Sequence, residues 1–385
     1  MITKITNAKL LLDTVCTGLD LYMENGKITA ISDRPLPYDM LIDAEENYVS
    51  PGFIDIHNHG GDGFEFEDGT EEAVRKSAAL HFAHGTTTLF PTLSATGIDT
   101  VYKALEAIKK VMEKGDTSAY LAGVHMEGPY LSAAQTGAQD ASCIVRPRKE
   151  EYVPLLSKYG DIIKRWTYAP EVDNALEFQT EMNRWGIVTS AGHTDAVYDD
   201  FYAAYKKGCR LVTHLYSCTS TVSRENGYRR LGVIESAFLL KDVTAELICD
   251  GCHLPPELIR MIYDIKGREH VCLVTDCIRY GGYTGDEVIE GGTENVPYII
   301  EDGVAKLTDR SAFAGSIATA DILIRTVAKK AGIGILDAVK MMTEVPARIM
   351  GLSTKGKLLA GYDADIVIFD DNIEIKKVIR GQEDL

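Results

Sequence analysis

One alternation constrains this chain more than any other feature. Between residues 50 and 349, eight short apolar runs are separated by amphipathic stretches: GFIDIH, TTTLFPT, YLAGVHMEG, IKRWTYAPE, IVTSAGHT, LVTHLYS, AELICDG and CLVTDC. Five of the intervening stretches, EEAVRKSAALHFAHG, TVYKALEAIKKVMEKG, ALEFQTEMNRWG, AVYDDFYAAYKKG and PPELIRMIYDIKG, close on the glycine expected just past a helix C-terminus. Eight repeats of strand then helix over about 300 residues predict an α/β fold of the (β/α)8 barrel type. An open doubly wound sheet would carry a glycine-rich phosphate fingerprint after its first strand. Gly60-Gly61-Asp62-Gly63 follows the first run, but its spacing differs and no helix starts at once, so a phosphate cradle is the lesser reading.

The two ends of the chain have another texture. Residues 1–49 alternate apolar and polar positions, and Asn25-Gly26 predicts a hairpin. The same pattern returns in KGKLLAGYDADIVIFDDNIEIKKVIRG. Residues 1–49 and 350–385 are therefore expected to pack as one small discontinuous β-sandwich domain beside a barrel of residues 50–349. The length of 385 residues accords with this, because single cores stop growing near ~250 to 300 residues. Past the eighth run, VPYIIEDGVAKL predicts a hairpin, and ADILIRTVAKKAG with ILDAVKMMTEVPARIMG predicts two closing helices.

Forty Lys plus Arg stand against 57 Asp plus Glu, a net charge of -17 that argues against a nucleic-acid partner. A small anionic substrate needs only a local cationic pocket. No stretch approaches the ~18 apolar residues of a membrane span, and the aliphatic run before Asp13 is too short for a signal-peptide core. A cytoplasmic protein without membrane association is the expectation. The eight cysteines are scattered through the chain, and Cys249-x-x-Cys252 has no second pair at zinc-ribbon spacing, so reduced thiols are expected.

In a barrel of this kind the chemistry sits where strands end and loops begin. His57 and His59 close the first run, and their period-two spacing puts both imidazoles on one side of an extended segment. His125 and Glu127 close the third, His193 the fifth, His214 the sixth and Asp276 the eighth, while His253 follows the seventh. Any one of these alone reads as a solvated rim residue. Together they can hold a divalent cation, which lowers the pKa of a bound water while a neighbouring carboxylate shuttles the proton.

Eleven segments, in order over nearly the full length, carry a resemblance to the amidohydrolase superfamily. They are PGFIDIHNHG (51–60), HGTTTLFPTL (84–93), GVHMEGPYLS (123–132), YAPE (168–171), SAGHTDA (190–196), THLYS (213–217), DGCHLPPE (250–257), LVTDCI (273–278), FAGS (313–316), PAR (346–348) and GYDADIVIFD (361–370). The HMEGP element resembles that of the branch whose members deacetylate N-acetylglucosamine 6-phosphate to glucosamine 6-phosphate and acetate. The resemblance implies that Glu127 replaces the carbamylated Lys of other relatives, that His193 and His214 complete the principal metal site, and that His57 and His59 serve a second. One or two divalent ions follow, zinc first, with iron, manganese or cobalt as alternatives. Asp276 matches the general base and acid. Ala138, Gln139, Ser217, Cys218, Arg224, His253, Phe313, Ala314 and Gly315 match substrate contacts, with Arg224 reaching the sugar phosphate across a homodimer interface.

The chain also departs from the pattern. Thr136-Gly137-Ala138-Gln139-Asp140 stands where the branch has a Lys-Gly-Ala-His-type loop, and Ser217-Cys218-Thr219 where it has Asn-Ala-Met. Arg229 and Arg230 read as a polar loop that either compensates near the phosphate or is solvated. These departures leave open deacylation of another N-acyl sugar or an N-acyl amino acid. A catalytically dead scaffold or sensor is a further alternative, set against the complete ligand set.

Overall fold

The computed structural model describes residues 1–285, 287–293 and 295–381. Eight parallel strands form its centre: β1 (Phe53–Asn58), β2 (Thr86–Leu93), β3 (Val124–Glu127), β4 (Ile163–Tyr168), β5 (Val188–Ala191), β6 (Leu211–Val212), β7 (Thr244–Leu247) and β8 (Val271–Leu273). Each pairs with the next in chain order. The ring closes through a parallel bridge between Asn58 and Cys277, where the Asp276 N–H donates to the His57 carbonyl at 2.9 Å. Helices α1 (Glu71–Ala83), α2 (Ile98–Lys114), α3 (Lys149–Tyr159), α4 (Ala175–Arg184), α5 (Tyr198–Lys206), α6 (Val233–Leu239), α7 (Pro256–Lys266) and α8 (Ala320–Arg325) follow the strands one for one. This is the predicted (β/α)8 barrel.

Local chemistry accounts for these boundaries. The Thr70 hydroxyl accepts the Ala73 N–H at the start of α1, satisfying an otherwise orphaned donor. Gly85, Gly115, Gly186, Gly208 and Gly267, which end the five stretches, all have positive φ, the conformation that turns the chain off a helix without a Cβ clash. In β4 the alternation sends Trp166 and Tyr168 into the layer beneath the helices and leaves Arg165 and Thr167 bonding to Ser190 and Thr213 of neighbouring strand ends.

The terminal segments form two sheets. One has the order Lys27–Ser32, Asp20–Glu24, Ile2–Thr6, Met40–Asp43, and the other Ile375–Ile379, Ile366–Phe369, Tyr48–Pro51, Lys9–Leu11, Val15–Cys16. Tyr48–Pro51 pairs antiparallel with Ile366–Phe369, so the chain's two ends share a β-sandwich whose core includes Ile5, Leu21, Val49 and Ile366. No helix among the described residues is long and apolar enough to cross a membrane.

One local expectation needs correction, and two others gain detail. Gly60–Gly61 and Phe64–Glu65 form a tight hairpin whose Gly60 and Gly63 N–H groups donate to the carbonyls of Cys277 and Arg279, which leaves no phosphate cradle. The predicted pair of closing helices is more broken: α8 runs into a π-helical turn (Thr326–Lys330), followed by helices Ile335–Lys340 and Glu344–Ile349. The last restarts at Glu344 so that Pro346, which has no N–H, falls within a first turn. The 297–307 hairpin is present and gains a third strand, Ile289–Gly292.

Phe178 is fully buried, with ring centroids 4.9 Å from Tyr130, 5.2 Å from Trp166 and 5.3 Å from Tyr152. Phe178→Ala is expected to cost about 3–5 kcal/mol by leaving a cavity in this cluster. Denaturant unfolding measures it; a midpoint equal to wild type would show that the layer repacks.

Candidate metal centre

At the C-terminal mouth of the barrel six side chains converge. Glu127 Oε1 lies 2.9 Å from His214 Nε2, 3.2 Å from His193 Nε2 and 3.4 Å from His57 Nε2, while its Oε2 is 3.3 Å from His59 Nε2. Asp276 Oδ1 stands 3.3 Å from His57 Nε2 and 3.2 Å from His59 Nε2. Two triads result, His57/His59/Asp276 and Glu127/His193/His214, each with donor atoms within 4.8 Å of one another. His193, His214 and Asp276 all have positive φ, at 47°, 26° and 49°, a region that non-glycine residues rarely occupy and that clusters at functional sites.

The tautomers show what this cluster requires. His193 Nδ1 is 2.9 Å from the Gln135 carbonyl and His214 Nδ1 is 3.0 Å from the Ser217 carbonyl. A carbonyl only accepts, so both Nδ1 atoms carry a proton, and each ring turns its Nε2 toward the Glu127 carboxylate. Lone pair facing lone pair is repulsive unless a proton or a cation lies between them. The titration tendencies agree. Burial alone would lower the His57 pKa, but the charges of Glu127 and Asp276 hold it up at about 9. Burial would likewise raise Asp276, yet His57 and His59 bring it down to about 2. Nitrogen and oxygen donors of this kind, oriented from behind by backbone carbonyls, suit a divalent transition metal.

Around the centre opens a cavity of about 630 Å³. Ala138, Gln139, Ser217, Cys218, His253, Phe313, Ala314 and Gly315 line it, as do His59, Glu127, His193, His214 and Asp276. Gln139 does not present a free amide: its Nε2 donates to Glu127 at 2.8 Å and its Oε1 accepts the Ala95 N–H at 2.7 Å. Its first task is to hold the carboxylate. Arg224 is not among the lining residues. It sits on an exposed hairpin, Ser223–Glu225 paired with Tyr228–Arg230, where Arg230 is bound to Glu225 at 2.6 Å. His125 also stays out of the cluster, held between Thr92 at 3.2 Å and Thr167 at 2.7 Å.

Several contributors were not foreseen. Asp250 accepts His253 Nδ1–H at 2.7 Å and fixes that ring, three residues before it in DGCH. Glu171 accepts from the Thr194 hydroxyl and the Asp195 N–H, both at 2.6 Å, and so braces the loop that carries His193. Arg279 is the one Arg or Lys among the described lining residues, tied to Glu65 at 2.8 Å and Asp68 at 3.1 Å. Glu171 and Arg279 depend on partners brought in by the fold, whereas the Asp250–His253 pair is local.

Comparison with known proteins gives a concordant picture. The model of the amidohydrolase family matches residues 48–384. The chain is 30% identical to an N-acetylglucosamine-6-phosphate deacetylase of Lysinibacillus sphaericus, over 94% of this chain and 92% of that protein. It is 31% identical to one of Bacillus subtilis, over 92% and 89% respectively. A solved aspartate-to-alanine mutant of the Mycobacterium smegmatis N-acetyl-D-glucosamine-6-phosphate deacetylase, in complex with N-acetyl-D-glucosamine-6-phosphate, superposes with a TM-score of 0.89 at 28% identity. The alignment covers 100% of this chain and 98% of that one.

The His57 shift makes a pH prediction for metal-free protein. Its folded pKa of about 9 exceeds the unfolded ~6.5, so its stabilisation is full below ~6.5 and is lost as pH rises through 9. The melting temperature of chelator-treated protein should fall between pH 6.5 and 9, and that of zinc-loaded protein should fall less, because the cation replaces the proton. Parallel curves for the two forms would contradict this.

Proposed function

The chain belongs to the amidohydrolase family, and on that premise we propose that it deacetylates N-acetylglucosamine 6-phosphate to glucosamine 6-phosphate and acetate. The observation that carries this reading is the convergence of Glu127, His193 and His214 with His57, His59 and Asp276 at the mouth of one cavity. A divalent cation at these donors supplies a Lewis acid for the amide carbonyl and lowers the pKa of a bound water. We assign zinc first; iron, manganese and cobalt suit the same donors, at one or two ions per chain.

The chain's own residues do the rest. Asp276, ionised because His57 and His59 outweigh the effect of burial, takes the proton of the attacking water on a carboxylate oxygen and returns it to the leaving amine. Gln139 and the carbonyls of Gln135 and Ser217 keep Glu127, His193 and His214 from turning. His253, its Nδ1 taken by Asp250, has Nε2 left for a sugar hydroxyl. Phosphate recognition has little to draw on within the cavity, since Arg279 is already tied to two carboxylates. We therefore assign it to Arg224 of the partner subunit in a homodimer, delivered by the exposed 223–230 hairpin. The eight cysteines are all unpaired, in keeping with a reducing, cytoplasmic setting.

Acetate release should be faster from N-acetylglucosamine 6-phosphate than from the unphosphorylated sugar; the reverse order would favour a different N-acyl substrate. Asp276→Asn should lower kcat by roughly 10²- to 10⁴-fold with metal content retained. Near-normal turnover would remove Asp276 from its role. Arg224→Ala should raise KM for the phosphorylated sugar by about 10- to 100-fold, the loss of a charge-assisted pair, and leave the unphosphorylated sugar unaffected. A monomer in sedimentation with full phosphate preference would exclude the partner's Arg224.

A further inference from the structure

Below the metal centre the barrel interior is charged. Arg165 on β4 and Glu246 on β7 are both fully buried, with Arg165 Nη1 at 2.6 Å from Glu246 Oε1. The guanidinium also donates to the Ile56 carbonyl on β1 at 2.9 Å, to Ser190 Oγ on β5 at 3.2 Å and to Thr213 Oγ1 past β6 at 3.0 Å. Five strands or strand ends thus converge on one ion pair. Barrel interiors are ordinarily filled by branched aliphatic side chains, and replacing a buried ion pair by such residues is often neutral or stabilising. Stability alone therefore gives no reason for a charged pair here.

The second oxygen of Glu246 supplies one. Oε2 faces His57 Nδ1 at 3.6 Å, outside hydrogen-bond range but within that of an ion pair, and Nδ1 has no other polar partner. On the opposite side of the ring, Nε2 faces Glu127, Asp276 and His59. His193 and His214 have a backbone carbonyl behind Nδ1, and His57 has Glu246 in that place.

We propose that Glu246, locked by Arg165, is a positioning residue that keeps the proton of His57 on Nδ1 and so turns the Nε2 lone pair toward the centre. The inference rests on the reading of His57 as a ligand. Arg165 is itself fixed by bonds to three other strands or strand ends, so it holds the Glu246 carboxylate in place and the ring orients to it. The ion pair links the barrel's packing to the geometry of one donor.

The test uses full-length protein, with zinc affinity read by chelator competition and the His57 Nδ1–H resonance read in zinc-loaded ¹⁵N-histidine-labelled samples, where the cation takes Nε2. Arg165→Met/Glu246→Met removes both charges together and leaves neither unpaired. It should shift the His57 Nδ1–H resonance upfield, as its carboxylate partner is lost, and weaken zinc binding by roughly 10- to 100-fold, the usual effect of losing a group behind a ligand. Glu246→Gln keeps the shape but must turn its amide oxygen to the Arg165 donor and its NH2 to His57 Nδ1, so it should weaken zinc binding at least as far. A double variant with the wild-type resonance and zinc affinity would overturn the proposal, and so would wild-type affinity in Glu246→Gln, which would trace the double variant's loss to packing. If wild-type protein took up no zinc, the functional reading would fail with it, whereas tight wild-type binding with neither variant weakened would fail Glu246 alone.

Discussion

The structure is organised around one buried carboxylate, that of Glu127. Glu127 is buried to 2% exposure and faced by four imidazole nitrogens. An unpaired buried charge costs several kcal/mol, and Asp276 adds a second carboxylate on the far side of His57 and His59. Two carboxylates in one cluster need compensating positive charge, and Glu127 and Asp276 accordingly hold the His57 pKa up at about 9. A divalent cation offsets their charge where single protons would do so only in part. The same constraint explains the backbone: His193, His214 and Asp276 stay in a disfavoured region at roughly 1–3 kcal/mol each, a strain that persists only where the surroundings over-determine it.

Those surroundings come from distant parts of the chain. The His193 loop is braced by Glu171, its ring by the Gln135 carbonyl, and Glu127 by Gln139, which is itself held by the Ala95 N–H. Asp55 accepts from the Thr275 hydroxyl at 2.5 Å, which ties the strand bearing His57 to the segment bearing Asp276 at the point of ring closure. Each donor is therefore fixed from behind by a group on another strand or loop. A site assembled this way is preorganised, and the barrel, more than any single loop, sets its geometry.

This division decides what was legible in the sequence. The barrel was legible because strand and helix periods are local, and the helix-ending glycines mark boundaries through their own φ. His57 and His59 were legible because a period of two is also local. The hold of Gln139 on Glu127 was not legible, because its partners, Glu127 and Ala95, lie 12 and 44 residues away. His125 shares a strand face with Glu127 yet sits among threonines of neighbouring strands, a difference in depth that spacing does not encode. One signal was present and overlooked. Asn226-Gly227 marks the 223–230 hairpin as plainly as Asn25-Gly26 marks the first, but flanking charges made the segment read as a loop.

Charge carries the last step. The cavity wall holds Glu65, Glu67 and Asp140 besides the two carboxylates of the centre, against Arg279 alone among the described Lys and Arg residues. Burial holds Glu67 above its ordinary carboxylate range, despite the nearby His59 and the Ser94 N–H it accepts, so part of that acidity is muted. A cation at Glu127 and Asp276 removes more of it. What remains is a wall of hydrogen-bond acceptors, which suits the hydroxyl groups of a sugar better than a dianion. The acidity of the whole chain, at -17, is thus repeated inside its own cavity, where Arg279 alone among the described lining residues carries a fixed positive charge.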